Sequence, residues 1–346
     1  MELKANILRI ERLSLSDGKG MRTVVFFKGC PLRCAWCSTP ESQSGQREAY
    51  YMKERCTGCG ACIQVCSEQA LRRSEKTGEI VRDYSRCKQC FQCVDACNYR
   101  AQQIYGKEMT VKEVMREIQK DEMFFFYSGG GVTLSGGDLF CQTDFAEALL
   151  EACDDACINA AAELDMFTSF ENVKRIVPHL QMFYVDVKTM DPEKHKKWTG
   201  QDNACILENI RKADAICAPH SIHVRVPLVE GVNDDVENIR KTAQLCQELK
   251  NCQELEFLPY HRLGLHAYRQ LGRNYQLEEH ASMSRWDVYQ KMGFLCEMDW
   301  MFDIAISGLE VYKAGIGKTG VTGMRNARCS MKSRADWATL PLSVKT

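Results

Sequence analysis

Three cysteines occur within the stretch Cys30-Pro31-Leu32-Arg33-Cys34-Ala35-Trp36-Cys37, separated by three and then by two residues. The stretch directly follows the apolar run Val24-Val25-Phe26-Phe27, which predicts a buried strand. Proteins normally hold a [4Fe–4S] cluster with four cysteine thiolates. Three thiolates on one tight loop bind three of the four irons and leave the fourth iron open. The stretch therefore predicts a cluster whose open iron takes a substrate or a cofactor.

The composition bounds the size and the location of the protein. A chain of 346 residues, 45% of them hydrophobic, is long enough for one large domain and a small one. The formal net charge of −1 gives no electrostatic basis for nucleic-acid binding. The N-terminus lacks a signal-peptide pattern, and no apolar run is long enough to span a membrane. Most of the 20 cysteines lie in clusters with metal-ligand spacing, which indicates a cytoplasmic protein rather than one with disulfides.

Residues 50–100 contain two further cysteine runs of identical spacing, offset by 31 residues. This is the spacing of a bacterial two-cluster ferredoxin, in which the fourth cysteine of each run ligates the other cluster. The predicted ligands of the first auxiliary [4Fe–4S] cluster are Cys56, Cys59, Cys62 and Cys97, and those of the second are Cys66, Cys87, Cys90 and Cys93. Structural zinc is the alternative, since Cys-x2-Cys pairs also bind zinc. Two complete four-cysteine runs favour iron–sulfur clusters.

Two elements are predicted after the ferredoxin-like segment. Apolar residues at positions 111, 114, 115 and 118 predict a helix over 110–120, and Thr110 with Glu113 forms a capping box. A short strand over 132–134 then ends at Gly136, Gly137 and Asp138. A carboxylate at the end of a strand lies where α/β barrels carry their chemistry. A purely structural turn is the alternative interpretation.

Between residues 150 and 300, short strands alternate with helical segments, which favours a parallel, barrel-like α/β fold. The predicted strands 182–188, 222–228 and 255–261 carry aliphatic residues on one face and polar residues such as Asp186, Lys188 and Arg225 on the other. That pattern indicates a barrel with a polar lumen rather than a doubly wound sheet. For Arg225 or for His261, a salt bridge within the scaffold is the alternative. Residues 311–346 form a basic tail that we expect to be peripheral or disordered.

Several motifs together resemble the glycyl-radical-enzyme activating enzymes, a branch of the radical S-adenosylmethionine (SAM) superfamily. The resemblance runs from about residue 8 to about residue 275. It rests on residues 27–37, the ferredoxin-like insert, residues 128–138, Asp186-Val187-Lys188, residues 225–234 and residues 258–264. It implies the fold class α/β, with a partial (β/α)6-type radical SAM barrel. Residues 1–49 and 101–310 would form the barrel, and residues 50–100 an inserted bacterial-ferredoxin-like α+β domain.

The resemblance also implies a role for each matching residue. Cys30, Cys34 and Cys37 would hold the catalytic [4Fe–4S] cluster, and Trp36 would contact the adenine of SAM. Gly136, Gly137 and Asp138 match the segment that binds the methionine amino group, and Arg225 and His261 match SAM-contacting positions. Asp186 and Lys188 match a catalytic motif near SAM and the incoming glycine loop. Glu163 matches, less well, an acidic residue beside the SAM carboxylate and a monovalent cation.

Two departures from the family pattern concern the SAM site. The family has Glu-Pro after the double glycine, where this chain has Asp138-Leu139. It has Thr-Ser-Gly after the acidic residue, where this chain has Leu164-Asp165-Met166, so that a hydroxyl and a turn glycine are lost. The shorter Asp138 would reach an ammonium group less well than glutamate. The substitution Asp138→Glu is therefore predicted to raise turnover.

The implied function is that of an activase, an oxidoreductase of anaerobic metabolism. It reductively cleaves SAM to a 5′-deoxyadenosyl radical, which abstracts hydrogen from a glycine of a partner glycyl radical enzyme. A flavodoxin or ferredoxin would donate the electron, the auxiliary clusters would relay electrons or help docking, and the protein would be monomeric. One alternative is a radical SAM enzyme that modifies another peptide or a small molecule. The other is a degenerate activase that acts only in electron transfer or partner binding.

Overall fold

The computed structural model describes residues 2–314, which contain fourteen strands and eleven α-helices. The strands are β1 (Lys4–Ser14), β2 (Arg22–Phe27), β3 (Glu48–Tyr51), β4 (Leu71–Arg73), β5 (Ile80–Arg82), β6 (Gln102–Tyr105), β7 (Lys107–Thr110), β8 (Gly131–Gly136), β9 (Ala160–Leu164), β10 (Met182–Asp186), β11 (Ile222–Leu228), β12 (Cys252–Pro259), β13 (Asp303–Ile306) and β14 (Leu309–Tyr312). The helices are α1 (Ala61–Gln64), α2 (Gln92–Asp95), α3 (Val111–Ile118), α4 (Glu122–Ser128), α5 (Thr143–Asp155), α6 (Phe170–Ile176), α7 (Pro192–Thr199), α8 (Ala204–Ala213), α9 (Val236–Glu248), α10 (Leu265–Gln270) and α11 (Arg285–Met292).

Ten of these strands form one sheet in the order β14-β13-β12-β11-β10-β9-β8-β2-β1-β7. The strands from β2 through β8 to β13 run parallel to their neighbours, while β1 and β14 pair antiparallel at the two sides. Helices connect the successive parallel strands. The predicted partial barrel is thus confirmed, with β13 as a seventh parallel strand beyond the six expected.

The core lies between this sheet and the helices that cover its outer face. Strand residues of one parity are fully buried there, for example Leu134, Val185 and Val224. Residues of the other parity, such as Asp186 and Arg225, point into the lumen, as the alternation predicted. Helix α3 begins with the predicted capping box, because Thr110 Oγ1 accepts the Glu113 N–H and the Glu113 carboxylate accepts the Thr110 N–H.

The ferredoxin-like insert is longer than the predicted range 50–100. Its outer strands β3 and β6 pair with each other over Glu48–Tyr51 and Gln102–Tyr105, and β4 pairs with β5 inside them. The insert therefore spans about residues 48–105. The cysteine spacing could not mark these strands because they lie outside the two cysteine runs.

Strand β14 extends past the predicted C-terminal boundary at residue 311. Val311 and Tyr312 belong to β14 and are buried, and the Tyr312 hydroxyl accepts the Trp300 backbone N–H at 2.9 Å. The turn before β14 has positive φ at Ser307 and Gly308, the conformation of a tight hairpin that the sequence around it did not reveal. The rest of the predicted tail, 315–346, lies outside the described residues. Within 2–314, no helix is both long and apolar enough to cross a membrane.

Candidate active site

The three-cysteine loop leaves β2 at the carboxyl end of the parallel strands and is held by backbone hydrogen bonds. The Arg33 N–H donates to the Thr199 carbonyl at 2.7 Å, and the Ala35 N–H donates to the Trp198 carbonyl at 2.9 Å. Both acceptors lie at the end of α7, which follows β10. The loop is therefore fixed against the opposite part of the barrel rather than hanging from β2 alone.

All three cysteines of the loop line one cavity of about 190 Å³. One water needs only ~10–15 Å³ of such volume, so this space admits a small molecule. The lining residues that matter below are Cys30, Cys34, Cys37, Trp36, Gly136, Gly137, Glu163, Asp165, Asp186, Lys188, Arg225 and His261. Every predicted site residue of the barrel except Asp138 is among them.

The glycine pair is required by close packing against the cysteine loop. Gly136 has a φ of +105°, and a Cβ there would lie 2.6 Å from the backbone of Phe27. A Cβ on Gly137 would lie 2.0 Å from the carbonyl oxygen of Gly29, the residue before Cys30. Any side chain at either position would push the end of β8 away from the loop. The pair thus sets the distance between two walls of the cavity.

Asp138 does not face the cavity, contrary to the sequence-based expectation. Its side chain is fully buried, and its two carboxylate oxygens accept the backbone N–H groups of Phe140 and Asp165, each at 2.7 Å. The carboxylate that lines the cavity beside Cys30 is Asp165, a position that the sequence comparison had treated only as a lost hydroxyl. Asp165 Oδ2 lies 3.6 Å from Cys30 Sγ, and Oδ1 accepts the Phe167 N–H at 2.8 Å. Asp138 therefore positions Asp165 at the cavity wall through the hydrogen bond that it accepts from the Asp165 backbone N–H.

Burial raises the pKa of both carboxyls, and that of Asp165 is raised further by the charge of Asp138. The charge of Lys188 lowers the pKa of Asp165, but this effect is smaller than those of burial and of Asp138. A cationic group in the cavity would favour the ionised form of Asp165.

Charged residues of neighbouring strands form a row across the lumen. The strand register places Asp186 beside Arg225 and Arg225 beside Glu256. Arg225 Nε donates to Glu256 at 2.9 Å, Nη1 pairs with Glu163, and the guanidinium lies 3.4 Å from the ring centroid of Tyr184. Neighbouring carboxylates raise the pKa of Arg225 against the lowering effect of burial, so it remains a cation. The scaffold salt bridge considered for Arg225 is present, and it positions the residue beside the cavity.

Lys188 and His261 complete the polar wall. Burial alone would lower the pKa of Lys188, but the ion pair with Asp186 raises it above its ordinary value. Burial lowers the pKa of His261, so its imidazole is neutral at pH 7. The wall thus offers a lysine ammonium and a neutral imidazole to a ligand.

Two buried donors on the wall have no hydrogen-bond partner within the described part of the chain: Arg225 Nη2 and Trp36 Nε1. Buried donors are normally satisfied, and leaving one unpaired costs about 1–3 kcal/mol. A ligand with acceptor groups would satisfy both. SAM has a carboxylate, ribose hydroxyls and adenine nitrogens, and its ammonium matches the Asp165 carboxyl that lines the cavity, so the residues present fit it.

The insert brings its eight cysteines together in two separate sites. One is lined by Cys56, Cys59, Cys62 and Cys97, and the other by Cys66, Cys87, Cys90 and Cys93. These are the two crossed sets that the spacing predicted. Within 2–314, no group of three or more His, Cys, Asp or Glu side chains is arranged to hold a single metal ion, so the cation beside Glu163 stays a prediction.

Sequence reasoning missed three residues of this site: Asp165, Tyr184 and Glu256. Tyr184 and Glu256 share the lumen-facing parity of their strands, and that signal could have identified them. Asp165 offered no such signal because it lies in the turn after β9, where Met166 has a φ of +60°.

Known proteins with similar sequences agree with this architecture. The family model described as the radical SAM superfamily matches residues 84–243, and the model of a 4Fe–4S dicluster domain matches residues 55–101. The two matches correspond to a radical SAM region and a ferredoxin-like domain, and they support the use of SAM and iron–sulfur clusters.

Three curated relatives cover most of the chain. The indoleacetate decarboxylase activating enzyme of Tractidigestivibacter scatoligenes is 39% identical and aligns with 80% of this chain and 89% of its own length. The isethionate sulfite-lyase activating enzyme of Oleidesulfovibrio alaskensis is 40% identical and aligns with 78% of this chain and 88% of its own length. The trans-4-hydroxy-L-proline dehydratase activating enzyme of Clostridioides difficile is 38% identical, over 79% and 90%. The chain belongs to the glycyl-radical-enzyme activating enzymes, and neither alternative function is favoured.

Proposed function

We propose that the cavity binds SAM against a [4Fe–4S] cluster on Cys30, Cys34 and Cys37, and that the enzyme activates a partner glycyl radical enzyme. One observation carries this proposal: the three thiols share a single small-molecule cavity with the Asp165 carboxyl and with two buried donors that have no partner among residues 2–314. When bound, SAM and its cluster supply a 5′-deoxyadenosyl radical that removes hydrogen from a glycine of the partner.

The residues of this chain bind and orient SAM. Asp165 accepts from the methionine ammonium in place of Asp138, and Arg225 Nη2 donates to an acceptor of SAM. Trp36 packs along the adenine, and His261 contacts SAM as a neutral imidazole. The ion-paired Asp186 and Lys188 act beside SAM and the incoming glycine loop of the partner, the role that their family motif implies. A monovalent cation beside Glu163 would have to compete with the Arg225 guanidinium.

The two cysteine sets of the insert each hold an auxiliary [4Fe–4S] cluster, which gives three clusters in all. A flavodoxin or ferredoxin donates the electron, and the enzyme works as a cytoplasmic monomer. The partner belongs to the same broad group as those named for the relatives, which include a decarboxylase, a lyase and dehydratases. Identities of 36–40% to relatives with different partners do not single out one of them.

The test uses full-length protein reconstituted without oxygen and assayed for iron and sulfide. Reduced protein incubated with SAM is expected to release methionine and 5′-deoxyadenosine. With candidate partner enzymes, it is expected to produce a glycine-centred doublet in the EPR spectrum. Release of no 5′-deoxyadenosine by protein with a full set of clusters would reject the proposal.

A further inference from the structure

The two halves of the ferredoxin-like insert are copies with nearly the same backbone. The offset of 31 residues superimposes β3 on β5, β4 on β6 and α1 on α2. Equivalent residues share positive φ angles, at Gly58 and Gln89, Gly60 and Phe91, and Gln69 and Arg100. The N–H of Ala70 donates to Cys66 Sγ at 3.3 Å, and the equivalent N–H of Ala101 donates to Cys97 Sγ at 3.2 Å. The backbone conformation and the N–H contacts to sulfur are therefore nearly the same at the two cysteine sites.

One pair of equivalent side chains breaks this symmetry. Tyr51 occupies the first half and hydrogen-bonds the Cys56 thiol with its neutral phenol. The equivalent residue of the second half is Arg82, a permanent cation. Arg82 Nη1 donates to Cys87 Sγ at 3.3 Å, and Nη2 lies 3.5 Å from Cys93 Sγ. Two of the four cysteines in the second set thus contact a guanidinium, whereas the first set has no equivalent charge on its sulfur atoms within the described residues.

Arg82 can also donate one more hydrogen bond to an acceptor at this site. Its Nε is buried and has no hydrogen-bond partner among residues 2–314. An inorganic sulfide of the second cluster is an acceptor of the right kind for this donor. The rest of the guanidinium is held in place by Gln102, whose side-chain oxygen accepts from Nη2 and whose Nε2 lies 3.9 Å from Cys62 of the other set. Arg82 is thus held beside Cys87 and Cys93 of the second set and is linked through Gln102 to Cys62 of the first set.

Other charges near the two sites do not offset this difference. Lys88 and Glu68 both line the second site, but they pair with each other at 2.9 Å. Arg73 lies beside Gly58 of the first half, yet it is exposed to solvent and donates to backbone carbonyls rather than to sulfur. Water screens an exposed charge much more strongly than a buried one.

We propose that Arg82 gives the cluster on Cys66, Cys87, Cys90 and Cys93 the higher reduction potential of the two auxiliary clusters. Reduction adds one negative charge to a cluster, and a nearby cation with N–H donors to sulfur stabilises that charge. The step passes one electron from a low-potential donor, a flavodoxin or ferredoxin, to that cluster, with no bond made or broken. The first electron taken up by the insert then resides in the Arg82 half. This inference rests on the two auxiliary clusters of the proposed function.

The experiment is an EPR-monitored redox titration of the reconstituted full-length protein. The cluster whose reduction potential shifts on addition of SAM is the one held by Cys30, Cys34 and Cys37. The other two reduction potentials belong to the auxiliary clusters of the insert. The variant Arg82→Gln is expected to lower only the higher of the two insert couples, and Arg82→Lys is expected to restore part of the shift. The matched control Arg73→Gln is expected to leave both insert couples nearly unchanged.

The reciprocal variant Tyr51→Arg adds a cation at the equivalent position of the first half. It is expected to raise the lower of the two auxiliary-cluster reduction potentials and so to reduce the difference between them. It also tests the inference if Arg82→Gln fails to retain its second cluster. An unchanged difference between the two potentials in Tyr51→Arg would overturn the inference. So would an Arg82→Gln protein that holds all its clusters and shows no change in the higher auxiliary potential. Iron and sulfide contents for fewer than three clusters in the unmodified protein would instead reject the proposed cluster number.

Discussion

Asp138 is the residue whose role changed most between sequence and structure. Both of its carboxylate oxygens are used by backbone N–H groups, and its side chain is fully buried. An added methylene has no space to enter, and overpacking a filled site typically costs about 1–3 kcal/mol. We therefore expect Asp138→Glu to lower the free energy of unfolding by that amount and not to raise turnover. Urea unfolding of the reconstituted protein measures the first effect.

The matched control for this substitution is Asp165→Glu, which adds the same methylene on the cavity side of the turn. It is expected to cost less stability, because its side chain lines open space. If Asp138→Glu retained full stability and cleaved SAM faster, the original interpretation of Asp138 as a shortened ligand would be correct.

Asp165 provides the second residue-scale prediction. The substitution Asp165→Asn preserves the shape of the side chain but removes its charge. A hydrogen bond to a charged group contributes about 1.5–3 kcal/mol, so SAM should bind roughly 10- to 150-fold more weakly. Equilibrium dialysis with the fully loaded protein checks this affinity independently of turnover. Unchanged affinity would mean that the ammonium binds elsewhere.

The residues that carry a spacing or parity signal could be predicted from the sequence, and the others could not. The eleven cluster cysteines and the lumen positions Asp186 and Arg225 follow from fixed intervals along the chain. Asp165 lines the cavity instead of Asp138 because of the way the turn after β9 packs against the end of β8. There the Asp138 carboxylate accepts the Asp165 backbone N–H. No interval along the chain encodes that contact.

At the scale of elements, the insert is attached to the barrel through a buried ionic group at the start of β3. Glu48 pairs with Arg273, and its other oxygen lies 3.3 Å from Nζ of the fully buried Lys28 at the end of β2. Burial lowers the pKa of Lys28, and the Glu48 carboxylate opposes this effect. Glu48 thus stabilises the Lys28 cation, which lies two residues before Cys30 of the cysteine loop.

The third prediction concerns this attachment. Removing one partner of a buried ion pair leaves the other uncompensated and costs about 3–5 kcal/mol, so Glu48→Gln is expected to destabilise the protein on that scale. The control Glu108→Gln breaks the surface pair with Lys4, whose side chains are 55% and 52% exposed, and such pairs contribute at most about 1 kcal/mol. Equal losses in the two variants, measured by urea unfolding, would contradict a structural role for Glu48.

Element boundaries proved harder to predict than element types. The strands of the barrel and the capped helix α3 follow from periodicity and capping residues. The ends of the insert and strand β14 did not, because β3, β6 and β14 are four-residue strands whose pairing partners are remote in sequence or lie across a tight turn. Such short strands owe their stability to pairing rather than to local pattern.

At the scale of the whole molecule, two kinds of cluster site are built from separate sets of residues. The cavity is lined entirely by residues of the barrel, none of which lies within 48–105. The insert has a small core of its own, in which Leu71 and Ile80 pack with the buried Cys62 and Cys93. The barrel cavity and the cysteine sites of the insert are therefore structurally separate.

This separation gives the last prediction, for the double variant Cys59→Ser and Cys90→Ser. Both cysteines are exposed and occupy equivalent positions in the two halves of the insert, so each auxiliary cluster loses one ligand with little change in packing. Sites without shared partners are energetically additive to within about 0.3–0.5 kcal/mol, so SAM affinity should stay within about twofold of the unmodified protein. Dialysis with labelled SAM, beside Cys34→Ser as the variant that damages the cavity cluster, makes the comparison. A large loss of affinity in the double variant would mean that the insert shapes the cavity, and that the two are coupled through the contact of Glu48 with Lys28 and Arg273.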